Sequence, residues 1–338
     1  MKTDDFDYDL PKRLIAQQPA VRRDGSRLMV LNRQRHSIQH DYFHNIGAHL
    51  CAGDLLVANR SKVIPARLHA LKDTGGAVEL LLLRRDGDRW MTLARPSRRL
   101  QLGTVLQVSN SSLEARLEAR AGDGRWLVSF AGGEDIETQL RGAGSIPLPP
   151  YIKSLNGHAG RYQTVYADDE GSVAAPTAGM HFSRELIASL ETRGVRLVYV
   201  TLHVGLGTFR PVTVDVIEEH AMHPEWGEVP SETAGDVNEA HDDSRRVIAV
   251  GTTTTRLLES AVRNHLVGAF RGDTARFIYP GFRFQAIDGL ITNFHLPRST
   301  LLMLVSAFAG RQFVLEAYRE AVECEYRFFS FGDAMLIL

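Results

Sequence analysis

Two cysteines, Cys51 and Cys324, in 338 residues cannot build a disulfide framework and suit a reducing compartment. Neither sign of charge is in excess. Thirty-nine Lys/Arg stand against 40 Asp/Glu, a formal charge of −1, which excludes nucleic-acid binding through bulk charge and leaves only local clustering. No apolar run approaches the roughly 20 residues that span a bilayer; the longest, Leu301 to Gly310, is about half of that. The start, Met1 to Asp7, is acidic and has no apolar h-region, so no signal peptide is expected. What is present is 44% hydrophobic and 23% charged residues, the balance of a globular chain with a sizeable core and room for two ordinary domains. A cytoplasmic protein with no membrane association is the expectation.

The local pattern changes twice along the chain. Between Ala66 and Ser145 it reads as short β segments, Ala77–Leu83, Trp90–Ala94, Thr104–Val108, Leu113–Leu117 and Arg125–Phe130, separated by Gly75-Gly76, Asp86-Gly87, Pro96-Ser97, Ser109-Asn110 and Asp123-Gly124. That spacing predicts a small all-β barrel or sandwich. Proline marks both of its edges, Ile64-Pro65 and the run Ile146 to Pro150, so residues 66–145 read as an all-β domain inserted into a core made of 1–65 and 146–338. After Tyr151 helices and strands alternate. Ser183 is placed to cap a helix carrying Leu186, Ile187 and Leu190 that Gly194 ends, and Val195–Val204 follows as a strand. A helix near Thr233–Asp243, a strand at Arg246–Val250 and a helix marked by Leu257, Leu258, Ala261 and Val262 come next. Strands are expected near Phe277–Tyr279 and Leu290–Thr292, then helices at Thr300–Ala309 and Phe313–Tyr326, the last holding Cys324 as a core residue. The core is therefore α/β, with the pattern silent on whether its sheet is open or closed.

Polar residues that packing does not require concentrate in four Gly/Pro-rich loops at strand ends: Ala174–Phe182, Thr201–Phe209, Gly251–Arg256 and Thr292–Thr300. Ligands of α/β domains bind at such ends. Gly205-Leu-Gly207 lacks the third glycine of a dinucleotide fingerprint and by itself reads as a turn. Gly251-Thr252-Thr253, after an apolar strand and before a helix, is a better anion or ribose cradle, with ordinary threonine capping as its plain alternative. In His220-Ala-Met-His223-Pro-Glu225 the carboxylate follows the second histidine and Pro224 breaks any helix. A metalloprotease arrangement is therefore absent, no metal is assigned, and proton transfer or polar recognition is the better use of these groups. No Gly-x-Ser-x-Gly elbow or Walker A sequence occurs. The inserted segment concentrates Arg84, Arg85, Arg95, Arg98 and Arg99, although its 12 Lys/Arg nearly balance 10 Asp/Glu; a solvated loop is the plain reading and a phosphate-binding cluster the functional one.

Taken together, these loops resemble the S-adenosylmethionine:tRNA ribosyltransferase-isomerase family. So do Asp5–Pro11, Leu14–Gln17, Gly53–Val57, Val63–Leu68, Pro147–Tyr151, Tyr162–Tyr166, Phe277–Gly281 and Tyr326–Met335. The resemblance implies an α/β core around a distorted β-barrel with an inserted β-barrel domain. It implies a queuosine-pathway enzyme that transfers and isomerises the ribosyl part of S-adenosylmethionine onto 7-aminomethyl-7-deazaguanine at the tRNA wobble position. The product would be epoxyqueuosine-tRNA, with adenine and methionine released. S-adenosylmethionine is then a consumed co-substrate, no other cofactor is needed, and the partner is tRNA bearing that base, met by a monomer. Four positions depart from the family pattern: Arg60 where a small polar residue is usual, Gly160 for an acidic residue, Met180 for Leu and Leu206 for Ala.

That reaction needs a base for a C5′ hydrogen acidified by the sulfonium, an acid or donors for departing adenine, and a neutral tRNA amine. His203, His220, His223 and Glu225 are nominated for proton transfer. Thr177, Gly179, His181, Gly205, Gly207, Thr252, Asn293 and His295 are nominated to hold S-adenosylmethionine, with His181 and His295 in reserve as acid/base groups. Arg67, Arg95, Arg98 and Arg99 are nominated for tRNA phosphate. A tRNA methyltransferase and a non-catalytic RNA-binding module are the competing classes, separated by the by-product and by whether S-adenosylmethionine binds.

Overall fold

Three short segments, Leu55–Asn59, Val247–Val250 and Gly289–Asn293, are buried at every position. Alternation is lost because both faces of such strands are covered. The computed structural model, which describes residues 1–122, 124–133, 135–149, 151–152, 159–205 and 212–338, sets them in one sheet. In chain order the strands are β1 (Arg27–Asn32), β2 (Ser37–Tyr42), β3 (Leu55–Asn59), β4 (Ser61–Val63), β5 (Arg67–Lys72), β6 (Ala77–Asp86), β7 (Arg89–Arg95), β8 (Val105–Val108), β9 (Glu114–Gly122) and β10 (Arg125–Ala131). They continue as β11 (Asp169–Ser172), β12 (Arg196–Leu202), β13 (Glu225–Val229), β14 (Val247–Val250), β15 (Val262–Arg263), β16 (Leu266–Val267), β17 (Phe270–Thr274), β18 (Gly289–Asn293) and β19 (Ala334–Ile337). The helices are α1 (Ile136–Ala143), α2 (Arg184–Thr192), α3 (Ser231–Asp242), α4 (Thr252–Ala261), α5 (Thr300–Ala309) and α6 (Arg311–Glu323).

The chain divides into two units: Met1–Lys62 with Pro150–Asp169 and Ala175–Leu338, and Val63–Pro149 with Glu170–Ala174. In the larger unit nine strands lie in the order β17-β13-β12-β3-β14-β18-β19-β1-β2. The inner four, β12, β3, β14 and β18, are parallel. Around them β13 and β17 pair antiparallel on one side, and β19 runs antiparallel to β18 on the other. Residues two apart point to the same face. Leu56 and Ala58, Ile248 and Val250, Leu28 and Val30 thus share one face, where Phe182, Leu186 and Leu190 of the α2 segment cover them together with Phe43 and Ile46. Each fully buried Leu, Ile or Phe there contributes about 1.5–3 kcal/mol.

Helix α2 begins as its sequence predicts: Ser183 Oγ accepts the Leu186 N–H at 3.1 Å, and Gly194 ends the segment at φ +81°. Helix α4 packs against β3, β12, β13, β14 and β18. It is buried along its whole length despite four threonines, because Thr254 and Thr255 turn their hydroxyls onto the carbonyls of Val250 (2.9 Å) and Gly251 (3.2 Å).

The smaller unit is a closed antiparallel barrel in the order β10-β7-β6-β5-β8-β9. Ala115 and Leu117 of β9 and Trp126, Val128 and Phe130 of β10 point inward at period two, and closure leaves no free strand edge.

Three expectations need correction. The segment between the prolines is not wholly β: α1 forms where the Asp135 side chain accepts the Thr138 N–H at 3.1 Å and seeds a turn that no strand propensity opposes. Phe277–Tyr279 is extended loop, and the strand of that region is β17, just upstream. Phe277 instead packs its ring on His220 and Tyr279. Cys324 is exposed at the C-cap of α6, because that helix stops at Glu323. Among the described residues no single helix is long and apolar enough to cross a membrane, and none group into a set of three or more metal-ligating side chains.

Candidate active site

Parallel strands share a carboxyl end, and in the larger unit that end is where the polar loops meet. Asn59 closes β3, His203 follows β12, Gly251 and Thr252 follow β14, and Asn293 closes β18. Antiparallel β13 starts at the same end, so Glu225 and Trp226 lie beside the exit of β12: the His203 N–H donates to the Trp226 carbonyl at 2.9 Å.

Asn59 ties three of these ends together. Its Nδ2 donates to the Leu202 carbonyl (2.9 Å) and reaches Thr253 Oγ1 (3.4 Å), while its Oδ1 accepts the N–H groups of Leu202 and Ser61, both at 3.0 Å. Sequence reasoning did not nominate it. The available signal was an amide at the end of an otherwise apolar strand, where an unpaired polar group is costly. Helix α4 starts directly above, and the first-turn N–H groups of Thr252 and Thr253 lack intrahelical acceptors and carry the positive end of the helix dipole.

The β18 side is saturated. The short turn Thr177–His181 lies against β18, and Gly179 is required there because a Cβ would meet Tyr166 Oη at 2.0 Å. Thr177 Oγ1 donates to Asn293 Oδ1 at 3.2 Å, and Asn293 Nδ2 donates to the Phe329 carbonyl at 3.2 Å and to His181 Nε2 at 3.0 Å. With Nε2 accepting, the imidazole proton sits on Nδ1 and is given to Ser26 Oγ at 2.7 Å. His181 is buried, and burial pulls its pKa down to about 4, against a smaller opposing effect of Asp333. His295 is buried too, its pKa pulled down to about 3 by the same cause, with ring Nε2 at 2.7 Å from Thr292 Oγ1 and its backbone N–H donating to Tyr318 Oη at 3.0 Å. Both imidazoles are neutral.

The β12 side is different. His203 stacks on Trp226 with ring centroids 5.1 Å apart, and its buried Nδ1 has no partner among the described residues. Burial holds its pKa below the ordinary histidine value, with Asp169 opposing. His220 lies edge-on to Phe277, its pKa lowered first by burial and then by His223. Glu225 is buried. Its Oε1 accepts the Gly205 N–H at 2.8 Å and its Oε2 accepts from Arg256 Nη1, while Arg256 Nε donates to the Arg276 carbonyl at 3.0 Å, next to Phe277. Glu225, Gly205, Arg256 and the His220–Phe277 contact thus form one neighbourhood. Gly207 and Leu206 lie outside the described residues. Of the departures from the family pattern, Arg60 is accommodated by Asp168, 3.7 Å away, and by Thr201 Oγ1 at 3.4 Å, and Gly160 is exposed, its carbonyl accepting from Arg23.

In the barrel unit Arg95 is exposed at the end of β7, and Arg98 and Arg99 are exposed on the loop that follows it. That loop is pinned by buried Leu100, by Trp126 Nε1 donating to Ser97 Oγ (3.0 Å) and by Lys72 Nζ donating to the Arg99 carbonyl (3.2 Å). Arg67 differs: it faces Glu79 at 3.6 Å and donates to the Leu148 carbonyl at 3.4 Å, and Arg85 is likewise paired with Glu137.

An open α/β sheet whose parallel strands end in imidazoles, amides and a helix N-terminus has the layout of a small-molecule site. The chain belongs to the queuosine biosynthesis protein family, whose model matches residues 3–337, and with it to the S-adenosylmethionine:tRNA ribosyltransferase-isomerases, which are enzymes. It is 54% identical to the enzyme of that name from Carboxydothermus hydrogenoformans and 53% identical to the one from Thermotoga maritima, over all of each chain. A crystal structure of the S-adenosylmethionine tRNA ribosyltransferase from Thermotoga maritima matches with a TM-score of 0.58 at 43% identity, covering 99% of this chain and 100% of that one.

Proposed function

We propose that this chain transfers the ribosyl part of S-adenosylmethionine to 7-aminomethyl-7-deazaguanine at the tRNA wobble position and isomerises it to epoxyqueuosine, releasing adenine and methionine. The observation that carries the reading is 54% identity over the whole of both chains with an enzyme named S-adenosylmethionine:tRNA ribosyltransferase-isomerase. The site chemistry supports it. A C5′ hydrogen beside a sulfonium needs a base that is unprotonated at neutral pH, and His203 is an imidazole whose pKa burial lowers and whose buried Nδ1 has no partner among the described residues. His220 and His223 supply the second proton-transfer position, assisting adenine departure or accepting the proton of the tRNA amine. Glu225 borders the same space.

S-adenosylmethionine is consumed and no resident cofactor is invoked. The first turn of α4 at Thr252 suits an anionic or ribose group, with Gly205, Thr177, Gly179 and Asn293 as the further nominees to hold S-adenosylmethionine. His181 supports Asn293, and His295 supports Thr292. Arg95, at the end of β7, and Arg98 and Arg99, on the loop after it, contact tRNA phosphate, whereas Arg67 is turned toward Glu79 and the Leu148 carbonyl. A tRNA substrate would place the enzyme, as a monomer, in the cytoplasm.

The test is to incubate purified protein with S-adenosylmethionine and tRNA carrying the aminomethyl base and to resolve the small products by mass. Adenine and methionine, formed only with that tRNA, are expected. S-adenosylhomocysteine would mean methyl transfer, and neither product with tRNA still bound would mean a binding protein.

A further inference from the structure

Glu225 is the one proton-transfer nominee whose carboxylate is already committed inside the protein. Both oxygens are engaged, one by the Gly205 N–H and one by Arg256, and the two side chains are only 4% and 3% exposed. Arg256 in turn leaves Nη2 buried with no acceptor among the described residues. A buried ion pair with an unsatisfied donor is a poor stabiliser, since desolvation of two charges offsets most of their attraction. Its geometry offers something else. The pair joins three separate elements, α4 through Arg256, the start of β13 through Glu225 and the exit of β12 through Gly205, and Arg256 Nε adds the Arg276 carbonyl as a fourth point. A proton taken by Glu225 would leave the Arg256 charge buried without its counter-ion.

We propose that Arg256 and Glu225 form a positioning pair, not a proton-transfer pair: Arg256 orients Glu225, and Glu225 Oε1 fixes the Gly205 backbone at the mouth of the S-adenosylmethionine site. The proposal rests on the function proposed above for the site, but its structural half does not. Two features follow. What matters at position 225 is a carbonyl-type oxygen facing Gly205, not a titratable group. What matters at position 256 is the match of charge to that partner.

Three variants decide the matter: Glu225→Gln, Arg256→Met, and both together. Each single change strands a buried charge or drops its partner, so each should lower the thermal midpoint and turnover strongly. The double variant keeps a Gln oxygen for Gly205 and has no buried charge. It should recover the midpoint, keep the peptide spanning Val204–Gly205 protected from hydrogen–deuterium exchange, and release adenine at least about tenfold faster than Glu225→Gln alone, its residual loss lying mainly in KM for S-adenosylmethionine. A double variant that folds and protects Gly205 yet stays as inactive as Glu225→Gln would show that Glu225 itself moves a proton and would overturn the proposal. A Val204–Gly205 peptide that exchanges equally fast in wild type and in Glu225→Ala would overturn it as well, on structural grounds. Wild-type protein that yields no adenine would count against the function reading alone, with the exchange result still deciding the pair.

Discussion

The two sides of the strand-end site use the same residue types to opposite effect. Around Asn293, His181 has both ring nitrogens filled, by Ser26 and by the Asn293 amide, and His295 is buried against Thr292 and Tyr318. Around β12, His203 keeps a buried nitrogen without a partner among the described residues, and His220 rests on an aromatic edge. An imidazole whose hydrogen bonds are complete holds its neighbours; one with an unpaired nitrogen still has a hydrogen bond to make. Histidine in a glycine-rich loop therefore says little until its partners are known.

The largest effect should come from the open side. His203→Asn removes the nominated base and should lower the rate of adenine release by about 10²–10⁴-fold while S-adenosylmethionine binding changes little, measured by quenched-flow release and by calorimetry. Unchanged turnover would remove His203 from the mechanism.

The saturated side should dominate acid stability. His181 titrates near 6.5 when unfolded and near 4 in the fold, so between these values the unfolded chain binds more protons and stability rises with pH. The contribution is complete above about pH 6.5, is lost as pH falls to 4, and amounts to about 3 kcal/mol for His181 alone, with His295 extending the window toward pH 3. Urea midpoints measured from pH 7 to pH 4 should fall for the wild type and fall less for His181→Asn; parallel curves would mean the buried imidazole is not the titrating group.

The smallest effect belongs to the barrel loop. Arg98→Ala should leave S-adenosylmethionine binding alone and reduce the slope of log K for tRNA against log salt by about 1. An unaltered slope would mean Arg98 does not meet phosphate.

What was legible in the sequence is what chemistry keeps local. Ser183 and Gly194 announced α2 because a cap and a left-handed stop need only neighbouring residues, and the barrel strands announced themselves by alternation between turn residues. Strand β19 was not legible: its four buried residues sit between β18 and β1, a placement set by pairing with segments roughly 45 and 300 residues away. The site divided the same way. The four loops could be found from their composition, but the state of each group could not. His181 is filled from 155 and 112 residues away, and the carboxylate of Glu225 is taken by an arginine 31 residues on. Arg256 stood in a quoted loop yet carried no visible role, because its role depends on which strand end α4 crosses.

The most direct measurement sets His203→Asn beside His181→Asn in one single-turnover assay of adenine release, with S-adenosylmethionine raised to saturation. The predicted result is that saturation restores most of the rate in His181→Asn, where binding is weakened, and restores none of it in His203→Asn, where the proton acceptor is gone. The reverse pattern, a rate lost irrecoverably at His181 and recovered at His203, would contradict the division of the site into a holding side and a reacting side.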